Sequence, residues 1–179
     1  MIKALKHFRT ITKHKLLVMR YCFKIGLIKQ GLLHDLSKYS WTEFSVGCKY
    51  YQGTRSPNNA EREYTGLSKS WLHHKGRNKH HYEYWIDYDK KSDTIIAGIE
   101  MPRRYVAEMI MDRIAASKVY SNGNYKDESP LIYYQRSRES FWFIHKKTQE
   151  QMELLLTMLA EEGEIETLCY IRHTFLKEK

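Results

Sequence analysis

Histidine and aspartate side chains are the groups in this sequence best suited to hold a metal ion, and four of them fall where folding should bury them. His14 lies on the apolar stripe of a helix predicted over residues 2–26, and Asp112 shares a helical face with apolar neighbours. His34 and Asp35 are adjacent in an otherwise apolar turn. Buried imidazole and carboxylate groups need polar partners, and a metal ion would satisfy the adjacent His34 and Asp35 at once. We take His14, His34, Asp35 and Asp112 as candidate ligands of one metal ion.

Each of these residues, taken alone, also has an ordinary structural explanation. His14 could be a core histidine bonded to a backbone carbonyl, and the pair at 34–35 could be a hydrogen bond at a helix end. Asp112 could form a salt bridge with a neighbouring arginine. Glu108, one helical turn before Asp112, could steady a metal ligand from outside the site. It is the combination that favours a metal.

A second histidine-rich stretch, WLHHKGRNKHH at 71–81, contains four histidines within nine residues. Imidazole is the usual ligand of transition metals, although this spacing does not match a zinc finger. A solvated, pH-sensitive loop is the alternative interpretation. With the other candidate ligands elsewhere in the chain, the metal interpretation is favoured. We prefer His74 over His73 because it lies nearer the loop, and we keep both His80 and His81.

In their order along the chain, these residues resemble the HD superfamily of metal-dependent phosphohydrolases. The superfamily pattern falls on His14, then His34–Asp35, then Asp112, and HDLSK at 34–38 is similar to its HD-x-x-K form. More narrowly, the chain resembles a bacterial and phage family of small HD-like proteins for which no substrate is established. The segments that carry this narrower resemblance are HDLSK, HHKGRNKHHYEYW (73–85), EMIMDRIAAS (108–117) and FWFIHKKTQEQMELLL (141–156).

The resemblance implies a single-domain helical bundle of the HD type with its metal in a cleft between helices. It implies hydrolysis of a phosphate ester, often of a nucleotide, through a water whose pKa the metal lowers. Some members of the superfamily hold a second metal through added histidines, and His74, His80 and His81 lie in the matching interval. A mixed set of imidazoles and carboxylates favours manganese, iron, cobalt, nickel or zinc, as one or two ions.

Within this scheme, we expect Asp35 and Lys38 to be catalytic. Lys38 stands about one turn after the His-Asp pair and would contact a substrate phosphate, although it could equally be a surface lysine. Arg77 and Arg104 are further candidates for substrate binding.

The elements that must position these residues are predicted to be helices, because three prolines leave room for long ones. The fold class is all-α, with a small β-hairpin or an irregular loop around 82–99. Turn-forming residues predict loops at 53–59 and 121–130. Predicted helices cover residues 2–26, 28–38, 41–52, 60–75, 102–120, 131–138, 146–162 and 164–177.

Length and composition predict one domain over residues 1–179. No apolar run is long enough to cross a bilayer and no secretion signal is recognisable, so we expect a cytoplasmic protein with no membrane partner. Three scattered cysteines indicate reduced thiols. The net charge of +9 suits a phosphorylated substrate or a polyanion, and a solvated basic surface is the alternative.

Three functions therefore stand as hypotheses. The first is a phosphohydrolase acting on a nucleotide or another small phosphate ester. The second is a di-iron oxygenase, because the same helical fold can carry a His/Asp di-iron centre. The third is a non-catalytic basic module that binds nucleic acid or protein, for which the charge and fourteen tyrosines would supply backbone attraction and stacking.

Overall fold

A computed structural model describes residues 2–89, 96–136, 138 and 142–178. These residues form an all-α fold with one small antiparallel hairpin, which confirms the predicted fold class. The helices are α1 (Ile2–Lys24), α2 (Ile28–Leu33), α3 (Trp41–Tyr50), α4 (Pro57–Thr65), α5 (Lys69–Lys75), α6 (Arg103–Tyr120), α7 (Ser129–Gln135) and α8 (Lys146–Tyr170). The strands are β1 (Ile86–Tyr88) and β2 (Ile96–Gly98). Short 3₁₀ turns cover Leu36–Tyr39 and Tyr82–Tyr84, and a π-helical turn covers Ile171–Phe175.

The core is built around α6, which packs against both α1 and α8. Residues 106–111 of α6 are buried on all sides, as expected of a helix enclosed by its neighbours. Val18 and Cys22 from α1 and Leu155 from α8 belong to the same buried cluster. Because α6 runs through the interior, its polar side chains must find partners inside the protein.

Two predicted helices are each divided in the structure. The helix predicted over 28–38 ends at Leu33, because Asp35 adopts a left-handed backbone conformation with φ 53°. The helix predicted over 60–75 is divided at Gly66, which ends α4 with φ 82°, a conformation that glycine adopts without strain. The Ser68 side chain then caps α5 by accepting a hydrogen bond from the Trp71 amide.

The last two predicted helices form one element, α8, with non-helical backbone at Gly163. The hairpin prediction is confirmed in part of its range, where Ile86 pairs with Gly98 and Tyr88 with Ile96. Residues 90–95 of that range lie outside the described residues.

Gly31 determines how closely α2 approaches α1. A Cβ atom at this position would lie 2.9 Å from the Cys22 Cβ and 3.2 Å from the Met19 backbone. Only glycine therefore allows this contact without a shift of one helix. Since α2 leads directly into His34, this close packing brings His34 to the side of α1 that carries His14.

Among the described residues, no helix is both long enough and apolar enough to cross a membrane.

Candidate metal centre

Four side chains from three parts of the chain converge at the inner face of α1. They are His14 from α1, His34 and Asp35 from the turn after α2, and Asp112 from α6, and one ligand atom of each lies within 4.8 Å of all the others. His14 Nε2 is 2.9 Å from Asp112 Oδ1, and His34 Nε2 is 3.3 Å from Asp35 Oδ2. These are the residues that the sequence predicts as one site, and the structure brings them together.

A second group adjoins the first and shares Asp35 with it. Asp35, His74, His80 and His81 also offer ligand atoms within 4.8 Å of one another. His74 Nε2 and His80 Nε2 lie 3.3 Å and 3.5 Å from Asp35 Oδ1, whereas His34 faces the other oxygen, Oδ2. Asp35 therefore presents one carboxylate oxygen to each group.

The backbone at Asp35 explains how one carboxylate can serve both groups. Its left-handed conformation ends the helical path of the chain after His34, so the two adjacent side chains point to one place. Aspartate enters this region more readily than most residues, at a cost of about 1–2 kcal/mol. Sequence periodicity gave no sign of this conformation.

Several polar atoms at the shared carboxylate are buried without a well-formed hydrogen bond. They are His14 Nε2, His34 Nε2, His80 Nε2 and both Asp35 carboxylate oxygens, of which Oδ2 forms an ion pair with Lys38. His34 and Asp35 are only 2% and 1% exposed, so water cannot readily satisfy them. Leaving such groups unpaired costs about 1–3 kcal/mol each. Imidazole nitrogens and carboxylate oxygens turned toward a common point fit a divalent metal ion.

Electrostatics keep both carboxylates of the first group ionised. Burial would raise the pKa of Asp35, but His34 and Lys38 outweigh it and hold that pKa well below its usual range. Burial would also raise the pKa of Asp112, but the close contacts of its carboxylate with His14 and His34 outweigh burial and hold that pKa well below its usual range. Ionised carboxylates are the form that ligates a cation.

Glu108 contacts one histidine of each group, His34 and His80, on the side of the ring that faces away from Asp35. Its Oε1 accepts a hydrogen bond from His34 Nδ1 at 2.9 Å and lies 3.2 Å from His80 Nδ1, and its Oε2 accepts from Gln30 Nε2 at 2.8 Å. Burial raises the pKa of Glu108, but the bonds from His34 and His80 outweigh this effect and lower the pKa to about 2. With Nδ1 directed at Glu108, both rings turn Nε2 toward Asp35, as outer carboxylates do for histidine ligands.

Glu43 plays the corresponding part for the second group. Its Oε2 accepts from His74 Nδ1 at 2.8 Å, and its Oε1 accepts from His73 Nδ1 at 2.7 Å. His73 is thus held by Glu43 outside both groups, and His74 is the member of its pair that lies beside Asp35. Glu43 and Gln30 are partners that the sequence does not indicate, because only the folded chain places them beside residues 30 to 78 positions away.

Lys38 lies at the edge of the cluster, with its Nζ 2.5 Å from Asp35 Oδ2 and its side chain 28% exposed. Burial lowers the pKa of its ammonium, but Asp35 and Asp112 outweigh that effect and raise the pKa above its ordinary value. Lys38 therefore carries a positive charge at the border between the cluster and solvent.

The two arginines predicted to bind substrate, Arg77 and Arg104, make their described contacts with other parts of the protein. Arg77 donates to the backbone carbonyl of His73, and the exposed Arg104 stacks over the Tyr105 ring at 4.9 Å. Neither contact involves a side chain of the two groups. The role of Arg77 and Arg104 in binding substrate stays a prediction.

The described residues thus define an all-α protein with a buried cluster of histidines and carboxylates. The chain belongs to DUF5662, a family of unknown function whose model matches residues 3–158, a range that includes every member of the cluster. No curated protein and no solved structure gave a significant match.

Proposed function

We propose that the protein is a metal-dependent phosphohydrolase of the HD type that acts on a nucleotide or another small phosphate ester. The observation that supports this most strongly is the sharing of Asp35 between two groups of histidines and carboxylates. Two ions bridged by one carboxylate are a common means of stabilising phosphoryl transfer.

The residues divide naturally between two ions. One ion would be held by His14, His34, Asp35 and Asp112. The other would be held by Asp35 together with the three histidines of the second group, which are His74, His80 and His81. This donor set suits manganese, iron, cobalt, nickel or zinc. Bound there, such ions would supply a Lewis acid for the phosphoryl oxygens and would lower the pKa of a water.

The remaining side chains of the site position the ligands or receive the substrate. Glu108 and Glu43 fix the tautomers and ring orientations of three histidines from outside. Lys38 offers its ammonium at the solvent border, where it would bind a phosphate oxygen and offset charge that develops in the reaction. The net charge of +9 favours an anionic substrate.

The test is metal analysis of the purified protein followed by a phosphate-release screen over nucleotides and simple phosphate esters with each candidate metal added. We expect metal-stimulated release that is lost in Asp35→Ala and His34→Ala. His173→Ala, which changes an exposed histidine outside the cluster, is the matched control and should keep full activity. Full phosphate release by both cluster variants after metal has been stripped would contradict the proposal.

A second candidate, a di-iron oxygenase, is supported by the same shared carboxylate, because two irons can also be bridged in this way. Two irons per chain, a visible absorption band and oxygen consumption would favour it. A single colourless metal would count against it.

A further inference from the structure

Positive charge is concentrated at the amino-terminal end of the protein. Residues 2–34 contain eight lysines and arginines and no aspartate or glutamate, so they contribute +8 of the formal +9, and Asp35 is the first carboxylate in the chain. The eight are Lys3, Lys6, Arg9, Lys13, Lys15, Arg20, Lys24 and Lys29. The rest of the chain is almost neutral by comparison.

Most of this charge is not neutralised by the protein itself. Lys15 donates to the Leu32 and His34 carbonyls, and Lys24 lies 5.5 Å from the centre of the Tyr21 ring. Within the part of the chain that the structure describes, the other six lysines and arginines contact no carboxylate. An uncompensated basic surface of this kind attracts an anionic partner.

Large apolar side chains share the solvent face of α1 with these charges. Leu5 and Leu16 are each 52% exposed, and Phe23 is 38% exposed. Helical spacing places these three in one row, and Lys13 and Arg20 in the row beside it. A shallow depression that extends from Phe8 to Arg20 is lined by members of both rows.

The apolar row continues onto α2. Met19, which lies next to this row around the helix, packs against Gly31 of α2. On α2 itself, Leu32 and Leu33 are 52% and 54% exposed. The result is an exposed apolar strip over α1 and α2 with a basic strip along its edge, and we call this surface the α1–α2 face.

We infer that the α1–α2 face docks on an anionic lipid surface. Lipid headgroups would attract the lysines and arginines, and the headgroup–acyl boundary would bury the leucines and Phe23. A nucleic acid backbone would pair with the charges but would offer no apolar environment in which the exposed leucines could be buried. A second copy of the chain would bring two like-charged faces together. The expectation of no membrane partner rested on the lack of a spanning segment, which surface docking does not need.

The test is co-sedimentation of the full chain with vesicles of phosphatidylcholine alone and with vesicles of equal parts phosphatidylcholine and phosphatidylglycerol. We expect binding only to the anionic vesicles, weakened by added salt. Reversing two charges, as Lys13→Glu with Arg20→Glu, should weaken binding by about 30-fold or more. The matched control, Lys69→Glu with Lys146→Glu, makes the same change in net charge on exposed residues of α5 and α8 and should bind like the wild type.

A second variant separates lipid from nucleic acid. Leu5→Ser with Leu16→Ser should weaken vesicle binding by about tenfold or more and leave binding to a single-stranded polynucleotide unchanged. Circular dichroism should show that every variant is folded. The inference is overturned if wild-type protein does not sediment with anionic vesicles, or if the α1 charge variant binds like its control. It is also overturned if the leucine variant binds vesicles as the wild type does, which would assign the face to a nucleic acid or an acidic protein.

Discussion

His34 Nδ1 lies 2.9 Å from Glu108 Oε1, and this contact turns the opposite nitrogen of the His34 ring toward Asp35. The same carboxylate oxygen lies 3.2 Å from His80 Nδ1. His34 belongs to the first group and His80 to the second. One buried glutamate therefore orients a histidine in each group, and this makes the two groups interdependent.

Glu108→Gln should lower the affinity of both groups for metal by about 10- to 100-fold, because an amide cannot accept from both imidazoles with the strength of a carboxylate. Isothermal titration with manganese or zinc measures this. Glu150→Gln, at an exposed position of α8, is the control and should titrate like the wild type. Unchanged affinity in Glu108→Gln would show that the glutamate does not position these rings.

Glu43→Gln should act on the second group alone. Glu43 accepts a hydrogen bond from His74 at 2.8 Å and, among the described residues, makes no hydrogen bond or ion pair with a member of the first group. At limiting metal, we expect the ion held by the second group to be lost and the ion held by the first group to be kept. Metal content after dialysis, compared with that of Glu108→Gln, distinguishes the two effects. Equal loss of both ions would contradict the assignment.

Gly31→Ala should destabilise the protein by about 1–3 kcal/mol and also weaken metal binding. The added Cβ would lie 2.9 Å from the Cys22 Cβ, so α2 must move away from α1 and carry His34 with it. Gly76→Ala is a matched control, because its backbone has φ −73° and the nearest atom to its added Cβ is at 3.4 Å. Urea unfolding of the metal-free protein measures the first effect, and metal titration measures the second.

Glu61 provides a pH-dependent contribution to stability away from the cluster. Burial raises its pKa, but hydrogen bonds donated by Ser68 and Ser70 outweigh burial and lower the pKa below its ordinary 4.5. A carboxylate with a lowered folded pKa stabilises the fold above pH 4.5 and loses that contribution as the pH falls through the folded value.

Glu61→Gln should therefore be less stable than wild type at neutral pH, by about 1–3 kcal/mol, and the difference should shrink as the pH falls below the ordinary pKa of 4.5 and through the lowered folded value. Urea unfolding of the metal-free proteins at a series of pH values measures it. The exposed Glu161→Gln is the control and should follow the wild-type profile. A difference that is constant with pH would indicate a packing effect rather than the lowered pKa.

The sequence was most informative where helical periodicity applies. His14 and Asp112 could be selected because they stand on apolar faces of long helices, and burial of such groups demands a partner. His34 and Asp35 could be selected by the same reasoning, because they are polar residues in an otherwise apolar turn. For these residues the local pattern carries the information, since α1 buries the stripe that carries His14 and α6 runs through the core.

Contacts made across the fold could not be predicted in the same way. Nothing near Glu43 in the sequence indicates that it will meet His73 and His74, because their approach depends on how α3 packs against α5. The left-handed conformation of Asp35 is likewise imposed by tertiary structure. Helical periodicity does not apply in the loop after α5, so the sequence could not show whether His80 or His81 is the ligand. In the structure both histidines belong to the group that contains Asp35.

We propose that Asp35 serves two metal ions at once, and the metal stoichiometry of single variants is the most direct test. We expect two ions per chain in the wild type, about one in Asp112→Ala, where the second group is intact, and none retained in Asp35→Ala. Inductively coupled plasma mass spectrometry of the folded, dialysed proteins supplies the counts. Wild-type metal content in Asp35→Ala would show that this carboxylate does not hold the two ions.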